Sequence, residues 1–140
     1  MKEINIKGVV ISGSIAWVLA VMAFVASYFV PILSDPDLQA NWVLSVAIIP
    51  SACIGAYLYY QKGHKTNGFI LGVAMFLVAM MLDALITVPF LIIPSGSDYI
   101  SFFTDLGFWL IALEYVSVVV LYWHFKRTVD WKKMTKPPNL

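Results

Sequence analysis

Two acidic residues, Asp83 and Glu114, lie near the middle of two apolar segments that are each long enough to cross a lipid bilayer. A carboxylate at the bilayer centre costs about 2.5–3.5 kcal/mol on insertion scales, so such a residue usually faces a partner or a water-filled cavity. The two segments are consecutive and should run antiparallel, which would bring the two carboxyls to a similar depth. This pair is the strongest functional signal in the sequence.

A hydroxyl side chain accompanies each acid. Thr87 follows Asp83 by four residues and Ser117 follows Glu114 by three, so each hydroxyl shares a helical face with its acid. Neither segment contains Lys or Arg, and two carboxyls that meet can share one proton. We therefore predict a binding site for a proton, a cation or an amine at Asp83, Glu114, Thr87 and Ser117. The structural alternative is that the carboxyls are hydrogen-bonding groups that hold the helices together.

Four apolar segments position these residues, at about 9–30, 40–60, 68–93 and 102–125, and a basic tail follows at 126–140. The 140 residues are 61% hydrophobic and 12% charged, whereas soluble domains are roughly 45–50% apolar and about 25% charged. The sequence predicts one all-α domain, a bundle of four transmembrane helices in antiparallel up-down-up-down order, because the short connections join neighbouring helices. The predicted partner is the lipid bilayer that surrounds these helices. The net charge of +1 indicates no nucleic-acid role.

The positive charges predict the orientation. The Lys and Arg residues, nine in all, precede the first segment, lie in the middle loop or follow the last segment: Lys2, Lys7, Lys62, Lys65, Lys126, Arg127, Lys132, Lys133 and Lys136. Cytoplasmic loops are enriched in Lys and Arg. Both termini and the middle loop are therefore predicted to be cytoplasmic, in a multi-pass protein of the inner (plasma) membrane.

Small residues predict where the helices touch. Ser12, Ala16 and Ala20 recur every four positions in the first segment, and Ser51 and Gly55 do so in the second. Helices in lipid associate through such faces because small side chains let backbones approach closely. A face left unfilled would serve a homo-oligomer. Four spans are few for a permeation path, so a transport role favours an oligomer such as a dimer.

The sequence predicts no cofactor and no metal. His64 lies in the middle loop, His124 lies near the end of the last segment, and Cys53 is the single cysteine. Haem ligation by two His at membrane depth is therefore not expected. Neither is a conventional zinc or di-iron centre, which needs His or Cys beside clustered carboxylates.

Two stretches carry a resemblance to a known family. Residues 81–89 (Met-Leu-Asp-Ala-Leu-Ile-Thr-Val-Pro) and 107–115 (Gly-Phe-Trp-Leu-Ile-Ala-Leu-Glu-Tyr) resemble an uncharacterised family of small bacterial four-span membrane proteins. The resemblance implies a bacterial inner-membrane protein without an assigned activity. A looser likeness links the chain to sterol isomerases and the sigma-2 receptor, in which intramembrane acids line a pocket for a lipid-like ligand.

Three functions follow from these observations. The leading interpretation is a transporter, channel-like or ligand-binding protein whose buried acids hold a proton, a small cation or an amine. The second is an intramembrane enzyme in which the acids transfer protons on an apolar, isoprenoid-like substrate. The third is a structural accessory subunit of a membrane complex.

Overall fold

Four long helices account for most of the computed structural model, which describes the backbone of residues 4–135 and the side chains of residues 4–36 and 38–129. They are α1 (Ile6–Ser27), α2 (Pro36–Gln61), α3 (Gly68–Leu82) with a π-helical continuation (Asp83–Ile92, the π segment), and α5 (Leu106–Thr135). A six-residue helix, α4 (Tyr99–Thr104), precedes α5. Residues 4–135 contain no strand, which confirms the all-α prediction.

Each long helix provides a stretch that is long and apolar enough to cross a membrane: Ile6–Ser27, Leu38–Gln61, Gly68–Ile92 and Leu106–Val129. Many large apolar side chains on these stretches are exposed, among them Met22, Leu77 and Leu113. Surfaces of this kind are stable against lipid chains and unfavourable in water. The protein is therefore a multi-pass membrane protein, as the composition predicts.

The helix boundaries depend on local caps that hydropathy does not register. The second helix was predicted from residue 40 but begins at Pro36, since proline suits the first helical position and the Asp35 carboxylate accepts a hydrogen bond of 3.1 Å from the Leu38 N–H. At α4, Asp98 caps the helix by accepting a 2.8 Å bond from Ser101 N–H. This backbone N–H holds the pKa of the Asp98 carboxyl below its usual range.

The last span differs from the prediction at both ends. Residues 102–104 belong to α4, and the backbone of Asp105 is extended, with ψ 132°. The Asp105 carboxylate accepts a 3.2 Å bond from Phe108 N–H, which starts α5 at Leu106. The helix then continues to Thr135, through the first ten residues of the predicted tail; residues 136–140 of that tail lie outside the described residues.

The helices form a four-sided bundle in which α1 packs against α2 and α3, and α5 packs against the same two. The predicted small-residue faces are buried: Ser12, Ala16 and Ala20 are at most 5% exposed. Larger side chains, including Leu71, Met75 and Val119, fill the centre between them. Helices that are not consecutive in the sequence also pack against each other, since α2 contacts α5 and α1 contacts α3.

Helices α1 and α2 are close together at Gly55. A Cβ added to Gly55 would lie 2.6 Å from the Met75 Cε atom and 2.9 Å from the Ser12 carbonyl oxygen. The Met75 side chain can move aside, but the Ser12 carbonyl belongs to the α1 backbone and cannot. Gly55 is therefore required by the interhelical distance and not by its own backbone conformation.

A buried glutamine ties the first connection to α2. The Gln39 amide donates to the carbonyl oxygens of Ser27 and Val30, both at 2.7 Å. Its side-chain oxygen accepts from the N–H groups of Ile32 and Leu33, both at 2.8 Å. One side chain, 5% exposed, thus pairs four backbone groups at the end of α1, where a helix leaves carbonyls without intrahelical partners.

We predict that Gly55→Ala lowers the stability of the bundle by about 1–3 kcal/mol, the usual range for overpacking a tight contact. Reversible unfolding in mixed micelles measures the change. The neighbouring Ile54→Ala serves as the control because Ile54 is 43% exposed. If Gly55→Ala unfolds no more easily than Ile54→Ala, then α1 and α2 are not closely packed at this residue.

Candidate functional site

Asp83 begins the π segment and faces α1. Its Oδ1 atom accepts two hydrogen bonds of 2.8 Å, one from the Trp17 Nε1–H of α1 and one from the Thr87 hydroxyl one turn further along. Thr87 is 5% exposed, and Trp17 and Asp83 are half-buried. The structure therefore brings Thr87 to Asp83, as their spacing predicts, and adds an interhelical donor.

Trp17 was not among the predicted site residues. Tryptophan in membrane proteins is enriched at the two interfaces, where its ring is partly in water, whereas Trp17 lies near the middle of the 22-residue helix α1. A tryptophan away from the interfaces still needs an acceptor for its N–H. The position of Trp17 in the middle of a span could therefore have predicted a hydrogen-bond acceptor nearby. In the structure this acceptor is Asp83.

The π segment arises where proline interrupts the helix. Pro89 has no N–H, so in the π pattern, in which each N–H bonds the carbonyl five residues earlier, the Ala84 carbonyl lacks its donor. The Tyr99 hydroxyl provides the replacement and donates to the Ala84 oxygen at 2.8 Å. After the proline the pattern continues, with Ile93 N–H bonded to the Val88 carbonyl at 2.9 Å.

Glu114 lies on α5 and faces α2. Its Oε2 atom accepts a 2.7 Å hydrogen bond from the Ser45 hydroxyl. Its Oε1 atom is buried and has no hydrogen-bond partner. Within the part of the chain that the structure describes, the only other buried side-chain polar atom without a partner is the hydroxyl of the adjacent Tyr115.

Ser117 does not join this site. It is exposed on α5, and the hydroxyl that reaches Glu114 comes from Ser45 on a different helix. Residues three apart on an α-helix differ by about 60° in direction, which is enough to turn one toward a neighbouring helix and the other toward lipid. Ser45 had no signal of its own, because spacing within one helix says nothing about the partner that packs against it.

The two acids occupy separate places. No hydrogen bond joins their carboxyls in the described structure: Asp83 is paired with α1 and Glu114 with α2. Gly72 of α3 packs against Val116 of α5, and Gly68 packs against Trp123. This antiparallel register sets Glu114 level with the residues near Ala74, about nine residues or roughly 13 Å of helix rise before Asp83.

The two carboxyls are therefore suited to different roles. The Asp83 carboxyl is held by two donors and bridges α1 and the π segment. The Glu114 carboxyl has one donor and one buried oxygen that remains available to a proton, a cation or a hydrogen-bond donor. Among the side chains that the structure describes, residues 4–36 and 38–129, no three of His, Cys, Asp or Glu are grouped so that they could hold a metal ion.

We predict that Tyr99→Phe destabilises the protein by about 0.5–1.5 kcal/mol, the usual net value of one hydrogen bond, because the Ala84 carbonyl then has no donor. Tyr57→Phe is the matched control, since Tyr57 is similarly exposed and its hydroxyl has no hydrogen bond in the described structure. Unfolding free energies of both variants in the same micelles test this. Equal values would mean that the Tyr99 hydroxyl does not support the π segment.

Comparison with known proteins gives the family but no activity. No curated protein matches the chain, and no solved structure does. A family of unknown function, DUF5367, matches residues 32–125. This region includes α2, the π segment with Asp83, and the part of α5 that carries Glu114, which agrees with the resemblance noted from residues 81–89 and 107–115. Since the match covers more than half of the chain, the protein, with its four membrane-spanning helices, belongs to the DUF5367 family, whose function is unknown.

Proposed function

We propose that this protein binds a proton, another cation or an amine at Glu114, and that it carries or conducts this ligand across the membrane. The observation that supports the proposal most strongly is the buried Oε1 atom of Glu114, which has no partner. Leaving a buried polar atom unpaired costs about 1–3 kcal/mol, and more for a charged group. A bound ion or proton would supply the missing interaction.

The surroundings of Glu114 fit a cation better than an anion. Lys and Arg are absent from both helices that contribute to this site, within residues 38–61 and 106–125. Tyr115, the next residue of α5, packs its ring against Phe76 of α3 at a centroid distance of 5.9 Å and so belongs to a different face of the helix.

Asp83 has a different role in this proposal. With two donors on Oδ1, its carboxyl holds the π segment against α1. A π segment next to a proline is a place where a helix can change its hydrogen-bond register. Thr87 and Asp83 would thus position the π segment, in which the hydrogen-bond register of the third span can change, whereas Glu114 would bind the ion. Ser117, exposed on α5, would take part only across a contact with a second copy.

The proposed topology has four antiparallel spans with both termini and the Lys62–Lys65 loop in the cytoplasm, on the basis of the distribution of Lys and Arg. A plasma membrane, the inner membrane if the source is bacterial, is the location that this asymmetry favours. One bundle of four helices has little room for a permeation path, so transport would use a homo-oligomer, with the exposed Ser117 face as one contact surface.

The enzyme and accessory-subunit alternatives make different demands. Proton transfer on an isoprenoid-like substrate would need both carboxyls in one lipid-accessible pocket, and their hydrogen bonds lead to different helices. An accessory role would need Glu114 only as a contact between helices. Binding experiments therefore separate these alternatives from the ion-binding proposal.

We predict that Glu114→Gln weakens the binding of a lipophilic cation, tetraphenylphosphonium, by about ten-fold or more, equivalent to about 1.4 kcal/mol. The glutamine keeps the acceptor for Ser45 but removes the negative charge. Equilibrium binding to the purified wild type and Glu114→Gln at one pH measures this effect, with Na⁺ and tetraethylammonium as further probes.

Asp98→Asn is the matched control, since Asp98 is an exposed acid outside the spans and asparagine can also cap α4. Its binding should equal that of the wild type. The ion-binding proposal is contradicted if Glu114→Gln binds as tightly as the wild type. It is also contradicted if no cation binds to the wild type and if, in addition, the wild type and Glu114→Gln have the same pH dependence of thermal stability.

A further inference from the structure

A groove separate from both acids runs along the contact between α1 and α2. Its volume is about 190 Å³, below the roughly 300–1,000 Å³ of sites that enclose a small molecule. Ile11, Ile15 and Leu58 form its apolar length, and Gln61 and Lys62 lie at one end. From Gly8 to Ile15 the groove follows about 10 Å of α1. Such a shape suits a linear chain with a polar head better than a compact ligand.

The polar end lies where lipid headgroups are found. The span of α2 ends at Gln61, so Lys62 is the first residue beyond the hydrocarbon-length stretch. Its ammonium group is exposed and forms no ion pair in the described structure. Basic side chains between helices at this level are typical binding groups for anionic lipid headgroups, and a Gln amide adds a further donor.

The wall of the groove is formed by a buried, hydrogen-bonded tyrosine. Tyr59, 1% exposed, lines it, and its hydroxyl accepts a 3.0 Å bond from Asn5 N–H and pairs with the Thr66 hydroxyl at 2.5 Å. The small Gly8 and Ser12 on α1 leave the space in front of it, and a Cβ on Gly8 would come within 3.1 Å of the Tyr59 ring. The groove is thus a fixed feature of the packing between α1 and α2.

We propose that this groove is a binding site for an anionic phospholipid, with the phosphate on Lys62 and one acyl chain along Ile11, Ile15 and Leu58. The site is independent of the proposed ion binding at Glu114, because neither acid lines the groove. Its ligand is a lipid of the surrounding membrane and not a free phosphate, since most of the lining is apolar.

Native mass spectrometry of delipidated protein with added phosphatidylglycerol or phosphatidylcholine of the same acyl chains tests the proposal. Wild type should retain phosphatidylglycerol preferentially. Lys62→Gln should bind it about five-fold more weakly, the effect of one cation near an anionic lipid. Lys65→Gln, which removes the same charge from the same loop outside the groove, should bind like the wild type.

A second pair of variants tests the acyl-chain path. Ile11→Trp should fill the groove and reduce lipid retention, whereas Val18→Trp, at a similarly exposed position of α1 outside the groove, should not. Glycerol phosphate, which has the headgroup without the chains, should not compete. Equal retention of the two lipids by wild type, equal losses in both lysine variants, unchanged retention in Ile11→Trp or competition by glycerol phosphate would each overturn the proposal.

Discussion

Hydrocarbon offers no hydrogen-bond partners, so every polar group within the membrane-spanning part of this protein must be paired by the protein itself or by something it binds. The structure meets this requirement at several unrelated points. Tyr99 replaces the donor that Pro89 lacks, and Trp17 and Thr87 share the Asp83 carboxyl. Glu114 stands out because one of its oxygens is buried without a partner. The functional proposal follows from that difference between the two acids.

Close helix packing makes these long-range hydrogen bonds geometrically feasible. Helices α1 and α2 approach closely because Ser12, Ala16 and Gly55 are small, so that Gly55 lies next to the Ser12 carbonyl and the Ala16 side chain. Gly68 and Gly72 do the same for α3 against α5. Since side chains extend only a few ångströms, a wider bundle would not bring Ser45 to Glu114. The same close packing leaves a narrow groove beside the small residues of α1, where a lipid chain fits.

Much of the fold was predictable because its determinants are local in sequence. Apolar length gives the four spans, and the four-residue spacing gives both the Ser12 face and the Asp83–Thr87 contact. The predicted boundaries differ where caps decide them, as at Pro36 and Asp105. The ten-residue π segment and its Tyr99 partner were not predicted, because they depend on how α4 folds back on the third span.

The composition of the site was less predictable because it depends on which helix faces which acid. Asp83 and Glu114 look like a pair in the sequence, being central in consecutive spans. In the bundle, the Asp83 carboxyl bonds to Trp17 of α1 and the Glu114 carboxyl bonds to Ser45 of α2, so the two acids have separate partners. Ser117 has suitable spacing but faces outward. Interhelical register, which no single-sequence pattern specifies, decides all of these contacts.

The most direct test of the account compares the unfolding free energies of two variants with apolar replacements of similar size, Asp83→Leu and Glu114→Met. Asp83→Leu leaves the Trp17 N–H without an acceptor and should destabilise the protein by about 1–3 kcal/mol, whereas the Thr87 hydroxyl can bond to its own helix. Glu114→Met removes an unpaired buried oxygen, while Ser45 can bond to its own helix, so stability should be unchanged or higher, as is common when a functional group is removed. The account is contradicted if Glu114→Met is the more destabilising variant, because Glu114 would then be a structural contact between α2 and α5.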